Sequence, residues 1–65
     1  MKKKFFVEVI YEDGSEFSFY VLLDGSDNKM NAELLMITRG TLMGSGGCKA
    51  VAYNEDGFDV CSFVR

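Results

Sequence analysis

Few side chains in this 65-residue chain have the chemistry for catalysis or metal binding. There is no histidine, which is the commonest general base at neutral pH. The two cysteines, Cys48 and Cys61, therefore lack the usual partner that activates a thiol for nucleophilic attack. Tetrahedral zinc takes four ligands, and two cysteines do not supply them. We therefore predict no enzyme activity, no metal site and no cofactor.

The carboxylates fall mostly beside two turn segments that end in glycine, where water solvates them and nothing raises a pKa. We expect these carboxylates to form a polar rim at the tips of two hairpins. The residues concerned are Glu12, Asp13, Glu16, Glu55, Asp56 and Asp59.

The two cysteines also raise the question of a disulfide. A four-residue loop over 54–57 would place Ala50 opposite Cys61 and make Cys48 a diagonal neighbour of Cys61. Diagonal side chains lie roughly 7–8 Å apart, which is beyond the usual reach of a disulfide. We therefore expect two small buried thiols, as is typical of a reducing compartment.

The basic residues argue against nucleic-acid binding. The formal net charge is −3, whereas nucleic-acid-binding domains normally carry a clustered basic patch. The basic run Lys2–Lys4 is interpreted as a solubilising, partly frayed end that keeps an edge strand from pairing.

The apolar residues after these lysines do not form a signal peptide. Glu8 interrupts them well short of the roughly 7–15 apolar residues that a signal peptide needs. No stretch has the ~18 apolar residues of a membrane helix. We predict a cytoplasmic protein with no membrane partner.

Two segments rich in aromatic and β-branched residues, 4–11 and 16–23, predict a pair of strands. The loop between them reads Glu-Asp-Gly, which favours a three-residue turn with Gly14 in the left-handed conformation. That register places Val7 opposite Phe19 and gathers the apolar side chains, including Phe17, on one core-facing side. A two-residue loop would move Glu8 to that side, since a slip of one residue exchanges the two faces.

A helix is predicted over Lys29–Met43, which contains mostly good helix formers. Each of the three residues before Lys29 has a side-chain oxygen that can cap the helix start, namely Ser26, Asp27 and Asn28. Gly44 follows at the position expected for a left-handed C-cap. Gly40 indicates either close packing on the sheet or an earlier helix end, and we favour the longer helix. The apolar stripe comprises Met30, Leu34, Ile37 and Thr41.

Residues 48–53 and 58–64 predict a second hairpin, so the element order is ββαββ. The predicted fold is a single α+β domain over residues 1–65, with two β-hairpins in one four-stranded, mainly antiparallel sheet and one helix on one face. The second and third strands run in the same direction if the helix returns along the sheet. The sequence leaves the sheet order open between 1-2-4-3 and 2-1-3-4.

The chain carries more apolar surface than one helix can cover. An antiparallel sheet with a solvated face normally alternates to polar residues on that face. Here the face away from the helix also carries apolar side chains, namely Phe6, Ile10, Tyr20 and Leu22. The back of the helix carries Met36 and Met43, although a surface helix normally keeps this side polar.

A chain of this size buries only about 60% of the surface that its unfolded form exposes. Exposed apolar patches of several hundred Å² mark interaction sites. The sequence therefore predicts a small protein-interaction module that forms a homodimer through the sheet face, with the methionine side of the helix as second choice. Alternatives are a different protein partner, an acidic decoy that inhibits a basic protein, and a nucleic-acid accessory protein that uses Lys2–Lys4.

Overall fold

A computed structural model describes residues 2–65. Strands β1 (Lys2–Ile10) and β2 (Glu16–Asp24) precede helix α1 (Asp27–Ser45), and strands β3 (Lys49–Tyr53) and β4 (Asp59–Val64) follow it. The four strands form one sheet in the order β2-β1-β3-β4, with every neighbouring pair antiparallel. The predicted α+β fold with ββαββ order is confirmed, and the strand order is one of the two that the sequence left open.

The first hairpin has the predicted register. Val7 lies opposite Phe19, and the pairing continues from Lys2 to Ile10 without interruption. The Tyr11 N–H donates to the Ser15 carbonyl at 2.9 Å, and the Gly14 N–H donates to the Tyr11 carbonyl at 3.0 Å. Gly14 has a φ of 87°, so the three-residue turn uses glycine where other residues are strained.

The second hairpin also closes with a three-residue turn, and the predicted four-residue loop is wrong. The Asn54 N–H donates to the Phe58 carbonyl and the Gly57 N–H to the Asn54 carbonyl, both at 3.0 Å. The Asn54 side-chain oxygen accepts from the Asp56 and Phe58 N–H groups. These hydrogen bonds from the backbone to the Asn54 side chain form an Asx turn, which favours the three-residue loop over the four-residue one.

The register of the second hairpin is therefore shifted from the predicted one, by one residue at Tyr53 and by two residues beyond it. Cys61 lies opposite Ala52, and Ala50 lies opposite Phe63. Strand β4 has one extra residue, Val60, at an irregularity beside Tyr53, as in a β-bulge. Beyond the bulge the two-residue shift keeps Cys61 and Phe63 on their predicted face, although it changes their cross-strand neighbours. At the turn the shift is one residue, so Asp59 lies on the face of Tyr53, whereas the predicted register places it on the face of Ala52.

The helix is longer than predicted at both ends. Ser26 is the N-cap, and its hydroxyl accepts from the Lys29 N–H at 3.2 Å. The left-handed C-cap is Gly46, with a φ of 78°, and the predicted C-cap Gly44 lies inside the helix. Gly40 is also helical, so the choice of the longer helix was right.

The buried side of the helix differs in part from the predicted stripe. Its fully covered residues are Met30, Leu34, Thr38 and Leu42. Ile37 and Thr41 are only partly buried. The buried Thr38 hydroxyl donates to the Leu34 carbonyl at 2.7 Å, which meets the hydrogen-bonding need of a polar group in the core.

The helix lies mainly over β3 and β4 and has fewer contacts with β1 and β2. Beneath it, Val7, Val9, Ala50 and Ala52 are fully buried. Phe17 points to the helix side of the sheet but is 53% exposed, so its predicted core position is wrong. It lies on β2, an edge strand, near the first turn, where the helix does not cover the sheet.

Candidate protein-interaction surface

The sheet face opposite the helix, called the open face below, has no second layer over it among residues 2–65. Because side chains alternate along a strand, residues paired across neighbouring strands share a face. The open face holds Lys4, Phe6, Glu8 and Ile10 from β1; Glu16, Ser18, Tyr20 and Leu22 from β2; and Lys49, Val51, Tyr53, Asp59, Ser62 and Val64 from β3 and β4.

The open face brings together the four sheet residues predicted as an interface. Phe6 lies opposite Tyr20, and these side chains are 40% and 59% exposed. Leu22, at 58% exposure, lies opposite Lys4 towards one end of the strands. Ile10 is half-buried and lies opposite Glu16 towards the other end. The apolar surface is therefore interrupted by charge at both ends.

Three aromatic side chains cross the open face in one line, called the aromatic row below. Phe6 on β1 is paired with Tyr20 on β2 and with Tyr53 on β3. Tyr53 was not among the predicted interface residues, because it becomes a neighbour of Phe6 only in the strand order with β3 beside β1. Aromatic side chains supply large contact areas at protein interfaces.

A lysine lies over one side of the aromatic row. The Lys4 Nζ atom is 4.5 Å from the centre of the Tyr20 ring and 5.8 Å from the centre of the Phe6 ring. An ammonium group within about 6 Å of an aromatic face is attracted by the negative potential of the ring. Lys4 is half-buried, and its ammonium group lies over the rings of the open face.

Two glutamates lie on the other side of the aromatic row. A side-chain hydrogen bond with Glu16 raises the pKa of Glu8, and partial burial and repulsion by the Glu16 charge raise it further. Burial raises the pKa of Tyr53, and the negative charges of Glu8, Asp59 and Glu16 add to the effect. Glu8 and Glu16, called the acid pair below, thus give this part of the open face a negative field.

The helix surface away from the sheet is also apolar. Met36 and Met43 are 75% and 60% exposed. They are seven residues apart, which places them on one side of the helix. Leu35 is exposed beside them and was not among the predicted interface residues.

The acidic turns lie at opposite ends of the sheet, because β3 runs antiparallel to β1. The turn at Glu12 and Asp13 follows the end of β1, whereas Glu55 accepts a hydrogen bond from the Lys4 backbone N–H at 3.1 Å, near the start of β1. The carboxylates therefore do not form one continuous acidic surface in a molecule 37 Å long.

The basic run is part of the sheet and is not frayed. Residues 2–4 pair with β2, and β1 is an inner strand of the sheet. The Lys3 ammonium forms an ion pair with Asp27 at 3.2 Å, with both side chains largely exposed. A shallow cleft of about 300 Å³ beside these lysines is also lined by Glu55 and Asp56. Carboxylates thus surround the positive charges.

The cysteines are far apart along the second hairpin. Cys61 lies opposite Ala52, whereas the Cys48 carbonyl accepts from the Arg65 N–H at 2.8 Å. Both thiols are free. Cys48 is exposed, so its predicted burial is wrong, and Cys61 is partly buried with its sulfur 3.8 Å from the Thr38 hydroxyl. Within residues 2–65, no three His, Cys, Asp or Glu side chains are grouped to hold a metal ion.

The single helix of the described chain lacks the apolar length needed to cross a bilayer. Comparison of the chain with protein-family models, curated proteins and solved structures finds no match.

Proposed function

We propose that this chain is a protein-interaction module that associates with a second copy of itself through the open face. Function is binding and not catalysis, and the free thiols of Cys48 and Cys61 suit a reducing cytoplasm. The observation that carries the proposal is the cluster of large, exposed apolar side chains around Phe6, Tyr20 and Leu22 on an uncovered sheet face.

The composition of the open face supports binding. Clustered apolar side chains with a polar surround are typical of interaction sites, whereas isolated ones are common on any surface. The aromatic row supplies rigid contact area in the middle of the face. Charged residues flank the row on both sides, Lys4 on one and the acid pair on the other, so the aromatic centre is bordered by polar groups, as at many interfaces.

The test is the solution mass of the Tyr20→Asp variant, measured by light scattering behind a sizing column over a wide dilution series. We expect a dimer for the natural chain and a folded monomer for the variant, because an exposed aromatic is replaced by a charge that the interface would have to desolvate. Far-UV circular dichroism verifies that the variant is folded. If Tyr20→Asp unfolds the chain, Tyr20→Ser removes the ring without adding a charge.

Met36→Asp is the matched control, since it places the same charge on the exposed helix surface. We expect this variant to keep the mass of the natural chain. A dimer that persists in Tyr20→Asp and dissociates in Met36→Asp would move the interface to the helix. A natural chain that is monomeric at every concentration would overturn self-association altogether.

The exposed helix residues favour a second candidate function, which is binding to a different protein. Leu35, Met36 and Met43 form a flexible apolar surface, and methionine side chains adapt to partners of different shape. A pull-down with the Met36→Asp variant beside the natural chain separates this candidate from the first. This candidate requires a protein that the natural chain captures and the Met36→Asp variant does not, while the variant self-associates as the natural chain does.

A further inference from the structure

We propose that the second copy docks on the open face with its strands reversed, so that Lys4 of each copy lies against Glu8 of the other. This inference rests on the proposed function, since it names the orientation of the same self-association and the charged residues that determine it. It follows from the positions of the charges relative to the aromatic row.

The spacing along β1 makes the arrangement symmetric. Lys4 and Glu8 are each two residues from Phe6, on opposite sides of it, and all three side chains lie on the open face. Consider a two-fold axis that lies between the two open faces and runs parallel to the aromatic row. It would place the row of one copy against the row of the other, with the strands of the two copies in opposite directions. Lys4 of each copy would then face Glu8 of the other. Isologous interfaces of this kind are the commonest in homo-oligomers.

The local electrostatics favour the same orientation. Glu8 and Glu16 repel each other on the open face, whereas the Lys4 ammonium is held over the Tyr20 ring, away from them. In the reversed orientation each lysine would offset the repulsion within the acid pair of the other copy. With the strands in the same direction and the rows aligned, the acid pairs would meet each other, which costs binding energy.

The dimensions of the molecule support a whole-face contact. Its Cα framework measures 37 × 19 × 14 Å, whereas a standard stable interface buries roughly 800 Å² per partner, so a stable contact has to use most of the open face. A partner that covered only one hairpin would bury too little surface. A second copy has a face of the same extent and is self-complementary in charge.

The experiment uses two charge reversals, Lys4→Glu and Glu8→Lys. Each alone would place like charges together in the homodimer, so we expect each to weaken dimerisation by at least about tenfold. In an equimolar mixture of the two variants, both contacts of the mixed dimer would again join one glutamate to one lysine. We expect the mixture to dimerise as the natural chain does, and the double variant to dimerise by itself. Arg39→Glu is the control, because it makes the same charge change on the exposed helix.

The possible outcomes separate this inference from the proposed function. Recovery of the dimer in the mixture, with Arg39→Glu unaffected, supports the reversed orientation. If the natural chain dimerises and both single variants dimerise equally well, the orientation is wrong while self-association stands. Loss of the dimer in the singles without recovery in the mixture also overturns the orientation. A natural chain that stays monomeric at all concentrations overturns both.

Discussion

Val9 and Gly47 are in such close contact that the glycine has no room for a side chain. A β-carbon built on Gly47 would overlap the Val9 Cγ1 atom, and Val9 is itself fully buried. The contact lies where the chain leaves the helix and enters β3, beside β1. The backbone at residue 47 can therefore pass this close to the Val9 side chain only because the residue is glycine.

Gly47→Ala should destabilise the fold. Val9 is enclosed by the core and cannot move aside freely, so we expect a loss of about 1–3 kcal/mol in the free energy of unfolding, as is typical of overpacking. Urea denaturation followed by circular dichroism measures it. Gly44→Ala is the control, since nothing lies within 4 Å of a β-carbon there and alanine is favoured over glycine inside a helix, so we expect no loss of stability from it. Equal stability of Gly47→Ala and the natural chain would show that the contact relaxes without cost.

Gly40→Ala should stabilise the fold. Gly40 is inside the helix, and a β-carbon at this position would meet nothing within 4 Å. Close packing on the sheet is therefore not the reason for this glycine. Alanine is favoured over glycine within a helix by about 0.8–1 kcal/mol, so we expect a higher unfolding midpoint in thermal denaturation.

Alanine in place of Gly46 should destabilise the fold, in contrast to alanine in place of Gly40. Gly46 also has open space around it, but its φ of 78° is strained for a residue with a side chain. We expect Gly46→Ala to lower the unfolding midpoint. Because the two glycines differ in backbone conformation and not in available space, equal effects would contradict the assigned helix end.

The pKa of Glu8 predicts a dependence of stability on pH. Since the hydrogen bond and repulsion from Glu16 raise this pKa above its ordinary value of about 4.5, the folded chain binds the proton more tightly than the unfolded chain. The contribution of Glu8 to stability should therefore increase as the pH falls through its raised pKa, and level off below the ordinary value.

Glu16→Gln is the comparison, because it removes the neighbouring charge. We expect the gain in unfolding free energy that Glu8 contributes between pH 7 and pH 4 to be smaller in this variant, measured on dilute monomer. A carboxyl-detected NMR titration of Glu8 reports the same shift directly. The prediction fails if Glu8 titrates identically in the natural chain and in Glu16→Gln.

The first hairpin was predictable in detail because two independent signals agree on it. The Glu-Asp-Gly turn fixes the loop length, and alternation in the flanking strands accepts only one register. The second hairpin has an equally clear turn, but the extra residue Val60 in β4 alters the register beyond it. A bulge has no sequence signal of the strength of a glycine turn, and the turn itself has three residues and not the predicted four. Counting from the loop therefore gave the wrong cross-strand neighbours.

The part of the sheet that the helix covers was less predictable from the sequence. Periodicity shows which side of a helix is apolar, but not which strands lie beneath it. Phe17 is on the helix side and nonetheless exposed, because the helix lies mainly over β3 and β4. Tyr53 entered the candidate interface only once the strand order was known, and Lys4 only once its side chain was seen to lie over the Tyr20 ring.

The pairing of β1 with β3 has a consequence for how the chain reaches this fold. Each hairpin is closed by a short local turn, but the two hairpins meet at a seam whose partners lie roughly 40 residues apart, which makes closure of this connection the larger entropic cost. We expect the hairpins and the helix to form early and transiently, with their docking along that seam as the slow step. The chain contains no proline, so peptide-bond isomerisation adds no slow phase that would obscure it.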